Sequence, residues 1–367
     1  MKHLKNIFRY LSRKHERILS NFKLKHLVFK YNNFLSSGSY RVSNGGKIIF
    51  YLEDEVVLQF IKKNSKNFSP RKRNRLGIVF DSFFKFNVPV PDSTDQDFSG
   101  QVLMVTVDQD IKVFDFKNSQ VLTIYKNPKK KLQIKHAINI LSEFFDHPHM
   151  DFSKEDYQVE ELIQQNNYET LTDFQKNDIF ETLISKYIKY FSNLNLENLQ
   201  HITPADMCKK FRAEIPEDIC LRFEKFLLDP SFKDISWKLV FLHGDLNYSN
   251  ILLHHEKIKL IDFEYANFYL FIYDLFNYIY MEKVTRNNCY FLTSYYAGKY
   301  DALLNKLFAQ FDMVYQCDKK TAYMFLYLTE RLLVKGFCRK WFNNGTLPFI
   351  KQIEKLHENS INTTTFK

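Results

Sequence analysis

The chain has 367 residues, of which 45% are hydrophobic, so it can bury a large core and is long enough for two or three structural units. Its formal net charge of +10 favours polyanionic partners such as nucleotides, phosphorylated substrates, anionic lipid surfaces or nucleic acid. Five scattered cysteines without a C-x-x-C pair argue against a disulfide framework and a zinc site, and they predict reduced cytosolic thiols. No apolar run is long enough for a membrane span or a secretory signal, so we expect a cytoplasmic protein.

The amino terminus predicts an amphipathic basic helix. Leu4, Ile7, Phe8 and Leu11 fall at i, i+3, i+4 and i+7, with lysines and arginines between them. Such a helix either packs on the body of the protein with its basic side in water, which is the more common case, or makes peripheral contact with an anionic membrane.

Two short apolar runs follow, at 48–52 and 56–61. Three acidic residues separate them, and the pattern predicts a β-hairpin. The segment 62–75 is strongly cationic. A charge cluster of this kind is usually a solvated face, and an adaptor that binds nucleic acid or lipid through it is the minority alternative.

A second β-rich passage predicts strands at 102–107, 111–116 and 121–126, then a helix that begins after Pro128, and a further strand at 157–163. This combination indicates a compact α+β unit. Downstream, helical spacing dominates, and we predict helices over 171–191, 216–228, 268–280, 291–311, 321–342 and 348–357.

One stretch carries the candidate chemistry. An apolar strand ends in a His-Gly-Asp loop at Asp245, Asn250 follows at D-x-x-x-x-N spacing, and a second apolar strand ends at Asp262. Phosphoryl transfer from a nucleotide needs a carboxylate beside the attacking hydroxyl and oxygen ligands for a Mg²⁺ that bridges the phosphates. Asp245, Asn250 and Asp262 supply those groups. The sequence therefore predicts a phosphotransferase that uses ATP and Mg²⁺.

The motif H-G-D-x-x-x-x-N-I-L, followed by I-D-F-E-Y-A, resembles that of the aminoglycoside phosphotransferase and choline/ethanolamine kinase superfamily, the small-molecule branch of the protein-kinase-like fold. The continuation from Glu264 is most similar to choline kinase-like members. The resemblance implies that Asp245 is the catalytic aspartate, that Asn250 and Asp262 are the magnesium ligands, and that His243 braces the catalytic loop.

The resemblance also implies a bilobal α+β architecture. A small β-rich N-lobe at 101–165 would bind the nucleotide, and a larger, mainly helical C-lobe at 166–358 would carry the catalytic and substrate-binding residues. Residues 1–100 would form an N-terminal extension, either separate or part of the N-lobe, and 359–367 a tail. Asp274 would order the catalytic loop.

The nucleotide-clamping half departs from the family pattern. A lysine on the third strand of this fold usually holds the α and β phosphates, but the predicted third strand presents Thr123 at the inward position. Lys126 at the strand end is the first candidate for this role, and Lys112 on the preceding strand is the second. Glu160 and Glu161 lie near the hinge where backbone groups read an adenine, so their side chains need not matter.

Substrate selectivity is expected after the second motif, at Glu264, Phe268, Tyr269 and Tyr273. Aromatic residues can cage a quaternary ammonium by cation–π attraction, as choline requires, but the same residues at helical spacing are more often plain core. The positive net charge favours a sugar or an anionic envelope glycan over a purely cationic substrate. We predict phosphorylation of a small-molecule or saccharide hydroxyl, with choline/ethanolamine kinase proper and a catalytically weak kinase-fold binding module as alternatives.

Overall fold

The chain folds into two compact units. The first comprises Met1–Leu132 and Pro148–Ile163, and the second comprises Gln133–His147 and Gln164–Lys367. The computed structural model describes residues 26–42, 48–51, 54–68, 87–90, 98–163, 171–254 and 257–364. The predicted N-terminal basic helix and residues 69–75 of the cationic segment lie outside the described residues.

An eight-stranded antiparallel sheet forms the first unit. In chain order its strands are β1 (Gly38–Val42), β2 (Ile48–Tyr51), β3 (Asn87–Val90), β4 (Val102–Val105), β5 (Ile111–Asp115), β6 (Gln120–Ile124), β7 (Met150–Asp151) and β8 (Gln158–Glu161). Their order across the sheet is β3-β1-β2-β4-β5-β6-β8-β7. The strands before residue 100 therefore share one sheet with the strands that follow it.

Side chains along each strand alternate between the two faces of this sheet, as the period of two requires. Val113 and Leu122 lie in one apolar cluster, whereas Phe114 and Val121 lie in the other. The central strands are therefore apolar on both faces, because each face packs against a core of its own.

The run 56–61, predicted as the second strand of a hairpin, is helical, so this prediction was wrong. Helix α1 (Glu55–Phe68) begins after Asp54, whose Oδ1 accepts a hydrogen bond from the backbone N–H two residues on, at 2.9 Å. Val57 and Phe60, three positions apart, pack into the second apolar cluster. A short apolar run fits a strand or a helix face, and here the acidic residue that precedes it is a helix cap.

The second unit is mainly helical. Its elements begin within α2 (Pro128–Leu141), where the boundary between the units falls. The further helices of seven residues or more are α3 (Asp173–Phe191), α4 (Pro204–Glu214), α5 (Glu217–Leu227), α6 (Tyr273–Arg286), α7 (Tyr290–Tyr296), α8 (Asp301–Ala309), α9 (Lys320–Lys335) and α10 (Leu347–Thr364). None of the helices in the described ranges has the length and apolar composition that a bilayer span needs.

Five strands complete the second unit. They are β9 (His201–Ile202), β10 (Trp237–Leu242), β11 (Ile251–His254), β12 (Lys257–Leu260) and β13 (Asn267–Leu270). The antiparallel order β13-β10-β9 forms one small sheet, and β11 pairs with β12 in another. A β-sheet unit and a mainly helical unit together confirm the predicted α+β class.

Helix boundaries follow from capping groups in the sequence. Thr172 precedes α3 and forms a reciprocal capping box with Gln175, whose backbone N–H lies 3.3 Å from the threonine Oγ1. Asp173 in the first turn and Lys189 in the last turn complement the helix dipole. The predicted helix over 171–191 is therefore confirmed almost residue for residue.

Several predicted helices have different bounds. The helix predicted over 291–311 is two helices, α7 and α8, with Gly298 between them at a φ of 86°. The helix predicted from residue 268 begins at Tyr273, because the four residues before the turn form β13 and pair with β10. The helix predicted over 321–342 ends with α9, where Gly336 takes a φ of 75° that favours glycine. Pairing of β13 with β10, rather than local helix propensity, therefore determines where α6 begins.

Aromatic side chains fill the core of the second unit. Trp237 on β10 is fully buried, and its ring stacks on that of Phe271 with centroids 5.4 Å apart. Tyr323 of α9 meets the same tryptophan edge-on at 5.7 Å. In this part of the chain, the many aromatic residues of the sequence pack against one another in the core.

A carboxyl group fastens α9 to the edge strand β13. The backbone N–H of Leu270 donates to Glu330 Oε1 at 3.0 Å and to Oε2 at 3.2 Å. Burial raises the pKa of Glu330 from its ordinary value of 4.5 to about 8; the hydrogen bond from Leu270 opposes this rise, and the nearby carboxylate of Asp274 adds to it.

We expect Glu330→Gln to change how stability depends on pH. Between about pH 4.5 and pH 8 the folded protein keeps this proton while the unfolded chain releases it, so the wild type loses stability as pH rises, by up to about 5 kcal/mol. Glutamine keeps an acceptor for Leu270 and does not ionise. In urea denaturation the stability of the variant relative to wild type should therefore increase from about pH 5 to about pH 9.

Glu214→Gln, at an exposed position at the end of α4, is the matched control and should show no such trend. A stability difference between Glu330→Gln and wild type that is constant over the pH range would contradict the prediction.

Candidate active site

The loop that follows β10 is held by a buried carboxylate. Asp274, in the first turn of α6, accepts hydrogen bonds from the backbone N–H groups of His243 and Gly244, both at 2.9 Å. The hydroxyl of Tyr187 on α3 donates to the same carboxylate at 2.6 Å. Burial raises the pKa of Asp274, and the hydrogen bonds from Tyr187 and from the backbone N–H groups of Gly244 and His243 oppose this rise. These are the contacts expected of a loop-ordering carboxylate.

His243 joins the loop to the segment that carries the second aspartate. Its Nε2 lies 2.8 Å from the carbonyl oxygen of Ile261, and a carbonyl can only accept, so Nε2 donates. The other ring nitrogen, Nδ1, then accepts a hydrogen bond from the backbone N–H of Asp245 at 3.3 Å. The imidazole thus joins the segments that follow β10 and β12.

The carboxylate of Asp245 is held asymmetrically. Nδ2 of Asn247 and Nδ2 of Asn250 each lie 3.2 Å from Oδ2. The ammonium of Lys335 on α9 lies 3.8 Å from the other oxygen, Oδ1. Burial raises the pKa of Asp245, and the charge of Lys335 is the strongest effect that opposes this rise. One oxygen is therefore fixed by amides, and the other faces a cation at a longer distance.

Asn250 and Asp262 present oxygen atoms from neighbouring segments. Asn250 directs its amide nitrogen to Asp245, which leaves its Oδ1 as the atom that can hold a cation. The backbone N–H of Ile261 donates to the carbonyl of Asn250 at 3.0 Å. Asp262 follows in a left-handed conformation with φ 69° and ψ 54°. An amide oxygen and a carboxylate are ligands that Mg²⁺ prefers, so this donor set fits the predicted metal.

The four residues predicted to contact substrate differ in exposure. Phe268 is 54% exposed and Glu264 is half-buried, whereas Tyr269 and Tyr273 are buried with their rings stacked 4.4 Å apart. Tyr269 also donates its hydroxyl to the carbonyl of Tyr265 at 2.7 Å. The structure therefore places the two buried tyrosines in the core, which corrects the expectation that they line a substrate wall.

The two candidate phosphate-binding lysines lie on different parts of the sheet unit. Thr123 on β6 is buried, and Lys112 on β5 stands directly opposite it in the strand register, so both side chains share one face of the sheet. Lys126 follows β6, and its Nζ donates to Gln109 Oε1 at 2.6 Å.

Glu160 and Glu161 lie on β8 within the sheet. The backbone N–H of Glu161 donates to the carbonyl of His149 at 2.9 Å, and both glutamates line a cavity of about 810 Å³ in the first unit. Strand pairing uses this backbone N–H, and a position of the two glutamates near a nucleotide hinge stays a prediction.

Two basic residues of α9 were missed by the sequence analysis. Arg331 donates from Nη1 to Asn277 Oδ1, and Asn277 in turn donates from Nδ2 to the carbonyl of Leu246 at 2.9 Å. The Lys335 ammonium lies 3.3 Å from the centroid of the Tyr265 ring. Their i, i+4 spacing indicates one helix face, but no local signal indicates that this face meets the catalytic loop.

Gly244 lies close to the backbone of Tyr265 and the side chain of Tyr269, and its replacement tests this geometry. It has φ 76°, and a Cβ there would lie 2.2 Å from the carbonyl oxygen of Tyr265 and 2.7 Å from the Tyr269 side chain. Gly336 has nearly the same φ of 75° with nothing within 4 Å of a Cβ, so it is a matched control.

We expect Gly336→Ala to cost about 1–2 kcal/mol for the left-handed backbone. Gly244→Ala should cost a further ~1–3 kcal/mol for the steric conflict, measured as the free energy of unfolding in urea. Equal losses in the two variants would show that the packing around Gly244 is not as tight as described.

The chain is similar to several solved structures of small-molecule phosphotransferases. It is 13% identical to amicoumacin kinase hAmiN, covering 78% of this chain and 94% of that one with a TM-score of 0.40. For the macrolide 2'-phosphotransferase MphH from Brachybacterium faecium the identity is 14%, the coverage 64% and 85%, and the TM-score 0.43. A glucosamine kinase in complex with glucosamine and ADP is 11% identical to this chain. The alignment covers 71% of this chain and 82% of that one, with a TM-score of 0.43.

Comparison with curated protein sequences gives no match. The model of the choline/ethanolamine kinase family matches residues 116–302, which is just over half of the chain and runs from β6 to the beginning of α8. This range contains the braced loop at Asp245 together with Asn250 and Asp262. The chain therefore belongs to the choline/ethanolamine kinase family, whose members are small-molecule phosphotransferases that act on hydroxyl groups.

Proposed function

We propose that this protein transfers the γ-phosphate of ATP to a hydroxyl group of a small molecule or saccharide. The observation that supports this most is the braced carboxylate of Asp245. Its backbone is fixed through His243 and Asp274, and its side chain is fixed through the amides of Asn247 and Asn250. A carboxylate fixed in this way can orient a hydroxyl without rearrangement during the reaction.

Asp245 has one oxygen available for the acceptor. Oδ2 is held by the two asparagine amides, whereas the Lys335 ammonium lies 3.8 Å from Oδ1, beyond hydrogen-bond distance. We assign Oδ1 to the acceptor hydroxyl. The acceptor oxygen forms a new P–O bond as the bond to ADP breaks, and the hydroxyl proton passes to Asp245.

Asn250 and Asp262 would hold magnesium. Asn250 offers Oδ1, because its nitrogen is committed to Asp245, and Asp262 offers a carboxylate at the end of the adjoining segment. A bound magnesium would offset the negative charge of the phosphates. His243 contributes indirectly, because its hydrogen bond to Ile261 fixes the segment that carries Asp262.

For the nucleotide phosphates we favour Lys112 over Lys126. Lys112 shares its sheet face with Thr123, the position at which the family resemblance calls for a lysine, whereas Lys126 lies beyond the strand and is hydrogen-bonded to Gln109. A lysine on the neighbouring strand can direct its ammonium to the same region of space as a lysine on β6, because cross-strand neighbours lie about 5 Å apart.

The alternative of a catalytically weak binding module has one observation in its favour, the buried threonine at the usual lysine position. The two functions differ in what they predict for Asp245. A phosphotransferase needs this carboxylate for turnover, whereas a binding module would bind nucleotide equally well without it.

We expect Asp245→Asn to lower ATP turnover by at least about 100-fold on a panel of sugars, amino alcohols and glycan acceptors, because the amide cannot accept the hydroxyl proton. The affinity for ATP should change little.

Asp262→Ala should instead remove the tightening of ATP binding by Mg²⁺. Asp234→Asn, at an exposed position before β10, is the control for loss of a carboxylate. Mg²⁺-dependent binding with no turnover of any acceptor would favour the binding module.

A second variant pair tests the nucleotide lysine. Lys112→Met should weaken ATP binding by about tenfold or more, as expected for loss of a charge-assisted contact, whereas Lys126→Met should leave the dissociation constant within about twofold of wild type. Calorimetric titration gives both constants. The reverse order would restore Lys126 as the phosphate-binding residue.

A further inference from the structure

One face of α9 lies along the catalytic loop. Tyr327, Arg331 and Lys335 are spaced at four-residue intervals and therefore project from the same side of the helix. The Tyr327 hydroxyl donates to Asn277 Oδ1 at 3.0 Å, and Arg331 donates to the same atom. Because Asn277 also binds the carbonyl of Leu246, this face is attached to the residue that follows Asp245.

The last residue of this face places a positive charge over an aromatic ring beside Asp245. The Lys335 ammonium lies 3.3 Å from the centroid of the Tyr265 ring and 3.8 Å from Asp245 Oδ1. Tyr265 is 40% exposed. Burial lowers the pKa of Lys335, and the carboxylates of Asp245 and Glu264 oppose this effect. The ammonium therefore has an aromatic face and carboxylates around it.

An aromatic face next to a carboxylate is also the environment that binds a quaternary ammonium ligand. In this protein the chain's own lysine lies at that position. A cationic acceptor that brought its hydroxyl to Asp245 would have to place its charge close to the Lys335 ammonium, where like charges repel, or displace it. A neutral or anionic acceptor meets no such repulsion.

We propose that Lys335 determines acceptor specificity by acting as a built-in cation on Tyr265, so that the protein phosphorylates acceptors with a neutral or anionic group beside the hydroxyl and discriminates against choline-like amino alcohols. This inference rests on the proposed function. It specifies which class of acceptor this member of the choline/ethanolamine kinase family uses. It also attributes that selectivity to a residue outside the range 116–302 that the family model matches.

The position of Lys335 in the last turn of α9 has a simpler explanation as well. Cations are favoured at helix C-termini by the helix dipole. That effect accounts for the residue type, but it does not require the contact with Tyr265 or the proximity to Asp245. Lys306 provides the control, because it is exposed in the last turn of α8 and shares the dipole effect alone.

Three acceptors that share one hydroxyethyl group test the proposal. Choline carries a quaternary nitrogen, dimethylbutanol replaces that nitrogen with carbon, and isethionate carries a sulfonate. The specificity constant for ATP-dependent phosphorylation and the equilibrium affinity are measured for each acceptor with wild type, Lys335→Met and Lys306→Met. Both acceptors of a pair react at the same Asp245, so a ratio of specificity constants cancels any general loss of activity in a variant.

We expect wild type to prefer dimethylbutanol and isethionate over choline by about tenfold or more. Lys335→Met should shift the choline-to-dimethylbutanol ratio towards choline by about tenfold or more, and Lys306→Met should leave it within about twofold. The proposal is overturned if wild type uses or binds choline as well as its neutral isostere, or if Lys335→Met leaves the ratio unchanged. Failure to bind or use any of the three also overturns it.

A different result would contradict the proposed function itself. That result is wild-type ATP turnover no higher than that of Asp245→Asn with every sugar, glycan and alcohol of the wider panel. Turnover on the panel with a preference for choline would leave the proposed function intact and remove only the role of Lys335.

Discussion

The buried carboxylate of Asp274 is the constraint on which the loop that carries Asp245 depends. An ionised carboxylate away from water is stable only when hydrogen bonds replace its hydration, and three donors surround this one: two backbone N–H groups of the His243–Gly244 loop and the Tyr187 hydroxyl. Those bonds join α3, α6 and the end of β10. The loop conformation is therefore set before any ligand binds, and Asp245 is presented from a fixed backbone.

The helix α9 extends this arrangement from the opposite direction along the chain. Glu330 holds the edge strand β13, Arg331 reaches the catalytic loop through Asn277, and Lys335 meets Asp245 and Tyr265. Three residues within two turns thus act on strand pairing, loop position and local charge. In the proposed function, the braced carboxylate of Asp245 and the nearby Lys335 ammonium would connect the packing of the second unit to the choice of acceptor, because charge next to the reacting hydroxyl distinguishes alcohols of similar size.

Prediction from the sequence succeeded where a local pattern was enough. The strands at β4 to β6 alternate between two apolar cores, and α3 carries a capping box, so both were recognisable without tertiary information. It failed at α1 and β13. The apolar run of α1 fits two periodicities over its short length, and Phe268 lies in a strand because β10 is beside it. Tyr269 and Tyr273 were assigned to substrate because spacing alone does not indicate which face of an element is buried.

The sequence by itself determined the chemical groups and their order: a histidine, two aspartates and an asparagine at strand ends, at spacings that fit phosphoryl transfer and the choline/ethanolamine kinase family. Only the tertiary structure decided which oxygen of Asp245 is free of the asparagine amides, that Asn250 offers its carbonyl oxygen, and that Lys335 lies over Tyr265. The physical reason is distance along the chain. Motif spacing is read within a few residues, whereas the contacts of Asp245 with Lys335 and of His243 with Asp274 join segments that only packing brings together.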